Sequence, residues 1–303
     1  MSSPFRSGFA CLVGRPNVGK STLVNALVGA KVAITSSRPQ TTRHAIRGIL
    51  SRPDGQLVLV DTPGLHRPRT LLGERLNDVV RNTWSEVDLV ALCIPADAAV
   101  GPGDKFIAGE LAGLGRRRPV FALVTRTDLV DRDQIGQQLL AVSRLGTDLG
   151  LEFVEILPVS AVSGYQVDLL ADLLLARLPE GRPLYPEGEL TDEPEETLIA
   201  ELIREAALEG VRDELPHSLA VTVEEMRRED DRDLVVIHAT VHVERQSQKP
   251  IVLGSGGQRL RMVGSTARQQ IEALLGSRVY LDLHVSVLKD WQRDPRQLRR
   301  LGF

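Results

Sequence analysis

Residues 14–21 read Gly14-Arg15-Pro16-Asn17-Val18-Gly19-Lys20-Ser21, and this stretch decides the architecture of the first half of the chain. It follows an apolar run over 9–13 and opens an amphipathic stretch over 21–28. A G-x-x-x-x-G-K-S string set between a strand and a helix is suited to hold a phosphate chain. Its glycines let the backbone turn so that successive N–H groups face one anion, with a helix N-terminus behind them. Lys20 brings a point charge to the outer phosphates, and the Ser21 hydroxyl is placed to ligate Mg²⁺. At average residue frequencies, a chain of this length carries such a match by chance about one time in a hundred, so the loop is read as a nucleotide site. Gly14, Asn17, Val18, Gly19, Lys20, Ser21 and Thr22 are its expected contacts.

Working outward, apolar runs recur at 57–60, 89–94, 120–124 and 155–159, each short enough for a buried strand, with amphipathic stretches such as 71–86 between them. That alternation predicts an α/β fold with a mostly parallel sheet and helices on both faces over residues 1–178. The alternating segment 45–50 reads as an edge strand. The pattern breaks over 179–193, an acidic, proline-rich stretch containing Pro179, Pro183 and Pro186, which reads as a linker. Beyond it, 194–303 reads as a smaller α+β domain: a helix over 194–211, strands at 220–226 and 234–243, a glycine-rich turn and helix over 258–275, and a strand at 279–288. The only cysteines, Cys11 and Cys93, lie inside apolar runs and read as reduced core thiols. No run of about 18 apolar residues suggests a membrane-spanning helix, and the N-terminal residues lack a signal-peptide core.

Asp61-Thr62-Pro63-Gly64 closes the run at 57–60. A carboxylate at the C-terminal end of a strand beside a phosphate loop can hold Mg²⁺, and Gly64 lets an N–H approach the terminal phosphate. Ser21 and Asp61 are thus the metal candidates from spacing alone.

With GRPNVGKS at 14–21, QTTRH at 40–44 and DTPGLH at 61–66, the sequence resembles the translation-factor-related GTPases, and within them the Era family. The resemblance covers nearly the whole chain. It implies a P-loop GTPase domain that binds GTP or GDP with Mg²⁺. Thr42 becomes the switch threonine reaching the metal and terminal phosphate, with Thr41 as its neighbour, so that Lys20, Thr42, Asp61 and Gly64 form the catalytic group. Asn17 corresponds to the asparagine that in related GTPases holds K⁺. Leu65 stands where many switch GTPases place a water-orienting glutamine, and an apolar side chain makes no such hydrogen bond, so slow unassisted hydrolysis is expected.

Base recognition departs from the family pattern. The usual N-K-x-D is Thr125-Arg126-Thr127-Asp128 here. Asp128 keeps the carboxylate that pairs with guanine N1 and N2, Arg126 offers a stem and planar head to the base, and Thr125 supplies one hydroxyl where asparagine has donor and acceptor. Ser160 and Ala161 match the last base-contacting loop.

In the second half, Gly254-Ser255-Gly256-Gly257 followed by Arg259 and Arg261 forms a G-x-x-G loop leading into a basic amphipathic segment. With the element order inferred above, it resembles a bacterial-type KH domain, whose loop clamps single-stranded RNA. Ser255 replaces a lysine common in the family. Lys289 and Arg293 are further candidate RNA contacts, while Trp291 reads as a packing residue. Charge distribution agrees: 193–244 has 5 basic and 15 acidic residues, net −10, whereas 245–303 has 11 and 4, net +7. The formal total of −3 hides that contrast.

The resemblance therefore implies a cytoplasmic GTP-dependent switch that binds the 3′ end region of 16S ribosomal RNA and assists assembly of the small ribosomal subunit. The same resemblance implies a monomer with peripheral contact at the inner face of the membrane. Two other readings are an RNA-binding adaptor whose nucleotide site is structural, and an NTPase of relaxed base choice.

Overall fold

The computed structural model describes residues 4–35, 42–43, 45–65, 70–113, 118–209, 215–229 and 233–303. The chain forms two compact units. The first comprises Met1–Ala33, Thr42–Arg67 and Leu76–Asp192. Its sheet is built from β1 (Arg6–Val13), β2 (Ile46–Arg52), β3 (Gly55–Asp61), β4 (Leu89–Pro95), β5 (Val120–Thr125) and β6 (Phe153–Pro158), in the order β2-β3-β1-β4-β5-β6. Only β2 runs antiparallel, against β3.

The helices are α1 (Lys20–Val28), α2 (Leu71–Glu86), α3 (Pro102–Gly113), α4 (Arg132–Leu149) and α5 (Val167–Leu175). Strand side chains alternate between two apolar clusters. Ala10 and Leu12 pack with Leu23 and Leu27 of α1 and Leu170 and Leu174 of α5. Cys11 and Val13 pack with Trp84 of α2, Ile107 of α3 and Val142 of α4. Every residue of β3 and β4 is buried, as a strand covered on both faces requires. This arrangement gathers the C-terminal ends of β1, β3, β4, β5 and β6, and the loops after them, at one edge of the sheet.

The stretch read as a linker is not free chain. Its backbone and side chains lie along the first unit: Ser7 N–H donates to Pro179 O (3.1 Å), Ser7 Oγ to Arg182 O (2.7 Å) and Gly181 N–H to Phe5 O (3.0 Å). Gln56 Oε1 accepts from the N–H groups of Leu184 and Tyr185, and Ile49 N–H of edge strand β2 donates to Leu190 O at 2.8 Å. Arg47 and Tyr185 both donate to Asp192 Oδ2.

The second unit takes Glu193–Phe303 together with Ile34–Thr41 and Pro68–Arg75. It contains α6 (Glu195–Leu208), the one-turn α7 (Leu215–Ser218), β7 (Ala220–Glu229), β8 (Leu234–Val243), α8 (Lys249–Leu253), α9 (Gln258–Leu275), β9 (Arg278–Val287) and α10 (Pro295–Arg300). The sheet order is β7-β8-β9, with β8 antiparallel to β7 and parallel to β9. Alternate β8 residues Val235, Ile237, Ala239 and Val241 share one core with Ile199 and Ile203 of α6 and with Val263, Ala267 and Ile271 of α9. Ile34 belongs to that core, and the next residue is held by Glu205, whose Oε1 accepts from Thr35 N–H (2.8 Å) and Oγ1 (3.1 Å). Trp291 is fully buried, donates its indole N–H to Ser218 O at 3.1 Å and stacks on Phe303 at a 5.9 Å centroid distance.

Candidate nucleotide and RNA sites

The phosphate loop joins β1 to α1, with Gly19 capping α1 in the left-handed conformation at φ 92°. A Cβ at Gly14 would lie 2.6 Å from the Cys93 carbonyl oxygen, so only glycine fits there. Lys20 is buried and donates from Nζ to the carbonyls of Gly14 (3.2 Å) and Arg15 (3.0 Å). Burial pushes its pKa down from the ordinary lysine value, an effect that the neighbouring Asp61 carboxylate opposes. Three oxygens converge at the start of α1: Asp61 Oδ2 accepts from Ser21 Oγ at 2.6 Å and from Thr42 Oγ1 at 3.0 Å, and the two hydroxyls are themselves 3.0 Å apart.

Asp61 is fully buried, and its Oδ1 has no hydrogen-bond partner among the described residues. Burial pushes its pKa up, against the pull of Lys20 and the two hydroxyls. An orphaned carboxylate oxygen beside two hydroxyl oxygens is a donor set for a hard divalent cation, and it fits Mg²⁺. Thr42, expected from the resemblance, lies with its hydroxyl in this group of oxygens; Thr41 lies outside the described residues. Gly64 sits against the loop so closely that a Cβ there would come within 2.7 Å of Pro16 N. Leu65 is buried in the cluster with Val13, Val60, Val80 and Trp84. Thr22 is half-buried in the first turn of α1.

The residues expected to meet the base follow β5 and β6. Thr125 Oγ1 donates to Val18 O at 2.6 Å, so its hydroxyl ties β5 to the phosphate loop. Arg126 is left-handed at φ 60°. Asp128 accepts from Ser160 Oγ at 2.6 Å through Oδ1, and Ser160 Oγ in turn accepts from Ser163 N–H, which fixes the loop carrying Ala161. Two ion pairs had no sequence signal. Arg15, a free position in the loop motif, donates from Nε to the wholly buried Asp104 of α3 at 2.7 Å, and Arg126 pairs with Asp97 at 3.0 Å.

In the second unit the predicted loop lies between α8 and α9. Gly254, Gly256 and Gly257 all have positive φ (70°, 55° and 78°). A Cβ at Gly254 would meet Arg259 Cβ at 2.6 Å, whereas at Gly256 and Gly257 it would meet no described atom within 4 Å. The first glycine is therefore required by packing, while the space beside the other two is open. Ser255, Arg261, Lys289 and Arg293 are exposed. Arg259, expected as a phosphate contact, turns its Nη2 to the protein: it donates to Ala207 O (3.2 Å) and Glu209 O (2.6 Å), closing the end of α6. The reason is local, since carbonyls at a helix end have no partner within the helix.

Comparison with known proteins settles the family. Residues 9–126 match the family described as 50S ribosome-binding GTPase, and residues 214–292 match the KH domain. GTPase Era of Streptomyces coelicolor is 67% identical over 302 residues, covering 98% of this chain and 95% of that protein. The chain belongs to the Era family of GTPases. GTPase Era of Mycobacterium sp. (strain KMS) is 64% identical over 303 residues, covering 99% and 100% of the two chains. Among solved structures, Era in complex with MgGDPNP and nucleotides 1506–1542 of 16S ribosomal RNA superposes with a TM-score of 0.93 at 35% identity, over 98% of this chain and 99% of that one. An Aquifex aeolicus Era variant bound to GDP·AlF4⁻ gives 0.92 at 36%, with the same coverage. This Era-family chain is thus a P-loop GTPase with a KH RNA-binding domain, and the adaptor reading with a merely structural nucleotide site is set aside.

Proposed function

We propose that this GTPase binds the 3′ end region of 16S ribosomal RNA through its glycine loop and assists assembly of the small ribosomal subunit, acting as a cytoplasmic monomer. The carrying observation is the open face at Gly256 and Gly257, in a chain that matches an RNA-bound Era over nearly its whole length. Ser21, Thr42 and Asp61 would hold Mg²⁺, which when bound neutralises phosphate charge. Lys20 and the loop N–H groups hold the β- and γ-phosphates, and Asn17 is the K⁺ ligand, so that replacing K⁺ by Na⁺ should slow turnover. Leu65 leaves the attacking water without a side-chain hydrogen bond from that position, which makes unassisted hydrolysis slow. Peripheral membrane contact rests on the resemblance alone and is read by flotation with anionic vesicles.

The test is GTP turnover with and without small subunits and the RNA 3′ end, on the native chain and on the Gly256→Asp, Gly257→Asp double variant. The variant is expected to lose RNA binding by at least tenfold with basal turnover near native. Undiminished RNA affinity would remove the loop as the clamp. A second reading has its own observation: Thr125 spends its hydroxyl on Val18 O, leaving guanine selection to Asp128 and the Ala161 N–H. Competition of ATP against GTP decides it, and equal affinities would establish relaxed base choice.

A further inference from the structure

The Arg126 side chain touches two separate pieces of the first unit, the phosphate loop and the turn after β4. Its stem lies over the phosphate loop, where a Cβ on Gly19 would be 3.7 Å from Arg126 Cγ. One terminal nitrogen, Nη1, is 3.4 Å from Asn17 O, and the other, Nη2, is 3.0 Å from Asp97 Oδ2. Asp97 stands in the turn after β4, and neither the phosphate loop motif nor the base motif includes it. The residue that carries this arrangement adopts a left-handed backbone, which a long side chain accepts only where its surroundings hold it.

We propose that Asp97 is a positioning residue of the guanine site: its carboxylate clamps the Arg126 guanidinium against the phosphate loop, so that the plate for the base is set before nucleotide arrives. The inference rests on the guanine-site reading of Arg126 and Asp128 given above. Three physical points carry it. First, an arginine has donors on both terminal nitrogens and can serve Asn17 O and Asp97 together, whereas a lysine brings one ammonium. Second, the pair is 38% and 26% exposed, a setting in which an ion pair adds little to fold stability, so its effect lies in placement rather than in holding the domain together. Third, Thr125 is committed to Val18, which leaves Arg126 and Asp128 as the side chains of this motif that meet the base. A guanidinium already immobilised loses less rotamer freedom on binding, and the gain from one such side chain is about three- to tenfold in affinity.

The experiment measures GDP affinity of the full-length chain by calorimetry for the native protein, Asp97→Ala, Asp97→Asn, Asp97→Glu, Arg126→Ala and the Asp97→Ala, Arg126→Ala double variant. Both alanine variants and Asp97→Asn should raise the GDP Kd about three- to tenfold, Asp97→Glu should recover most of the loss, and the double variant should bind no more weakly than either single one. The nucleotide-free thermal midpoint of Asp97→Ala should match the native value. A native-like Kd for Asp97→Ala beside a weakened Arg126→Ala overturns the clamp and leaves the guanine site standing. Multiplying effects in the double variant, or a lowered midpoint with no change in Kd, also overturn it, since each describes a residue acting apart from Arg126. A native-like Kd for Arg126→Ala would bring down the reading of Arg126 in the guanine site, and the clamp with it.

Discussion

Leu65, which by resemblance stands where a glutamine would orient water, is buried among Val13, Val60, Val80 and Trp84. Leu65→Gln should therefore not create a fast GTPase. An amide in that apolar cluster costs about 2–4 kcal/mol of stability, so thermal unfolding should show a lowered midpoint while single-turnover hydrolysis stays within a few-fold of native. A tenfold faster variant would show that the side chain can swing out to the nucleotide. The phosphate loop was readable because its chemistry is written in eight consecutive residues. Thr42 was not: a threonine in a polar loop carries no local signal, and only resemblance marked it before its hydroxyl was seen on Asp61. The Arg15–Asp104 and Arg126–Asp97 pairs join distant elements, so no spacing rule could disclose them.

At the scale of elements, α9 shows how neighbouring arginines part in role. Arg259 closes the end of α6, and Arg261 is exposed on the helix that follows the glycine loop. Arg259→Ala should cost about 1–2 kcal/mol by stranding carbonyls at the α6 terminus, read as a shift in urea midpoint. Arg261→Ala should leave that midpoint in place, weaken RNA binding and reduce its salt dependence by about one unit of slope. Equal RNA losses for both, with no stability change for Arg259→Ala, would refute the division. Periodicity disclosed every strand of both sheets, including the edge strand β2, because burial on one or two faces leaves a direct imprint on residue choice. Composition marked 179–193 as a linker but could not disclose that it is laid along the first unit. Prolines and acidic residues look alike whether a segment is free or laid along a neighbour, and the side chains that receive it, Ser7 and Gln56, sit more than a hundred residues earlier.

Across the whole molecule, the two units are not consecutive stretches of chain. The second takes in Ile34–Thr41, directly before the Thr42 that meets Asp61, and Pro68–Arg75, a few residues beyond Gly64. Ile34→Ala should open a cavity in the second unit's core at a cost of about 2–4 kcal/mol. The chain has two tryptophans, Trp84 in the first unit and Trp291 in the second, so Trp84→Phe leaves a fluorescence probe of the second alone. An unchanged Trp291 transition in the Ile34→Ala background would mean that the core closes without this residue. The pinned segment after α5 has a consequence of another kind. An open β-sheet edge offers unpaired backbone groups to any passing strand, and here Leu190 takes up the Ile49 N–H of β2 while Asp192 draws in Arg47. The tether between the units is thereby also a guard on the sheet, and nicking it near residue 188 would be expected to make the first unit adhesive to its own copies.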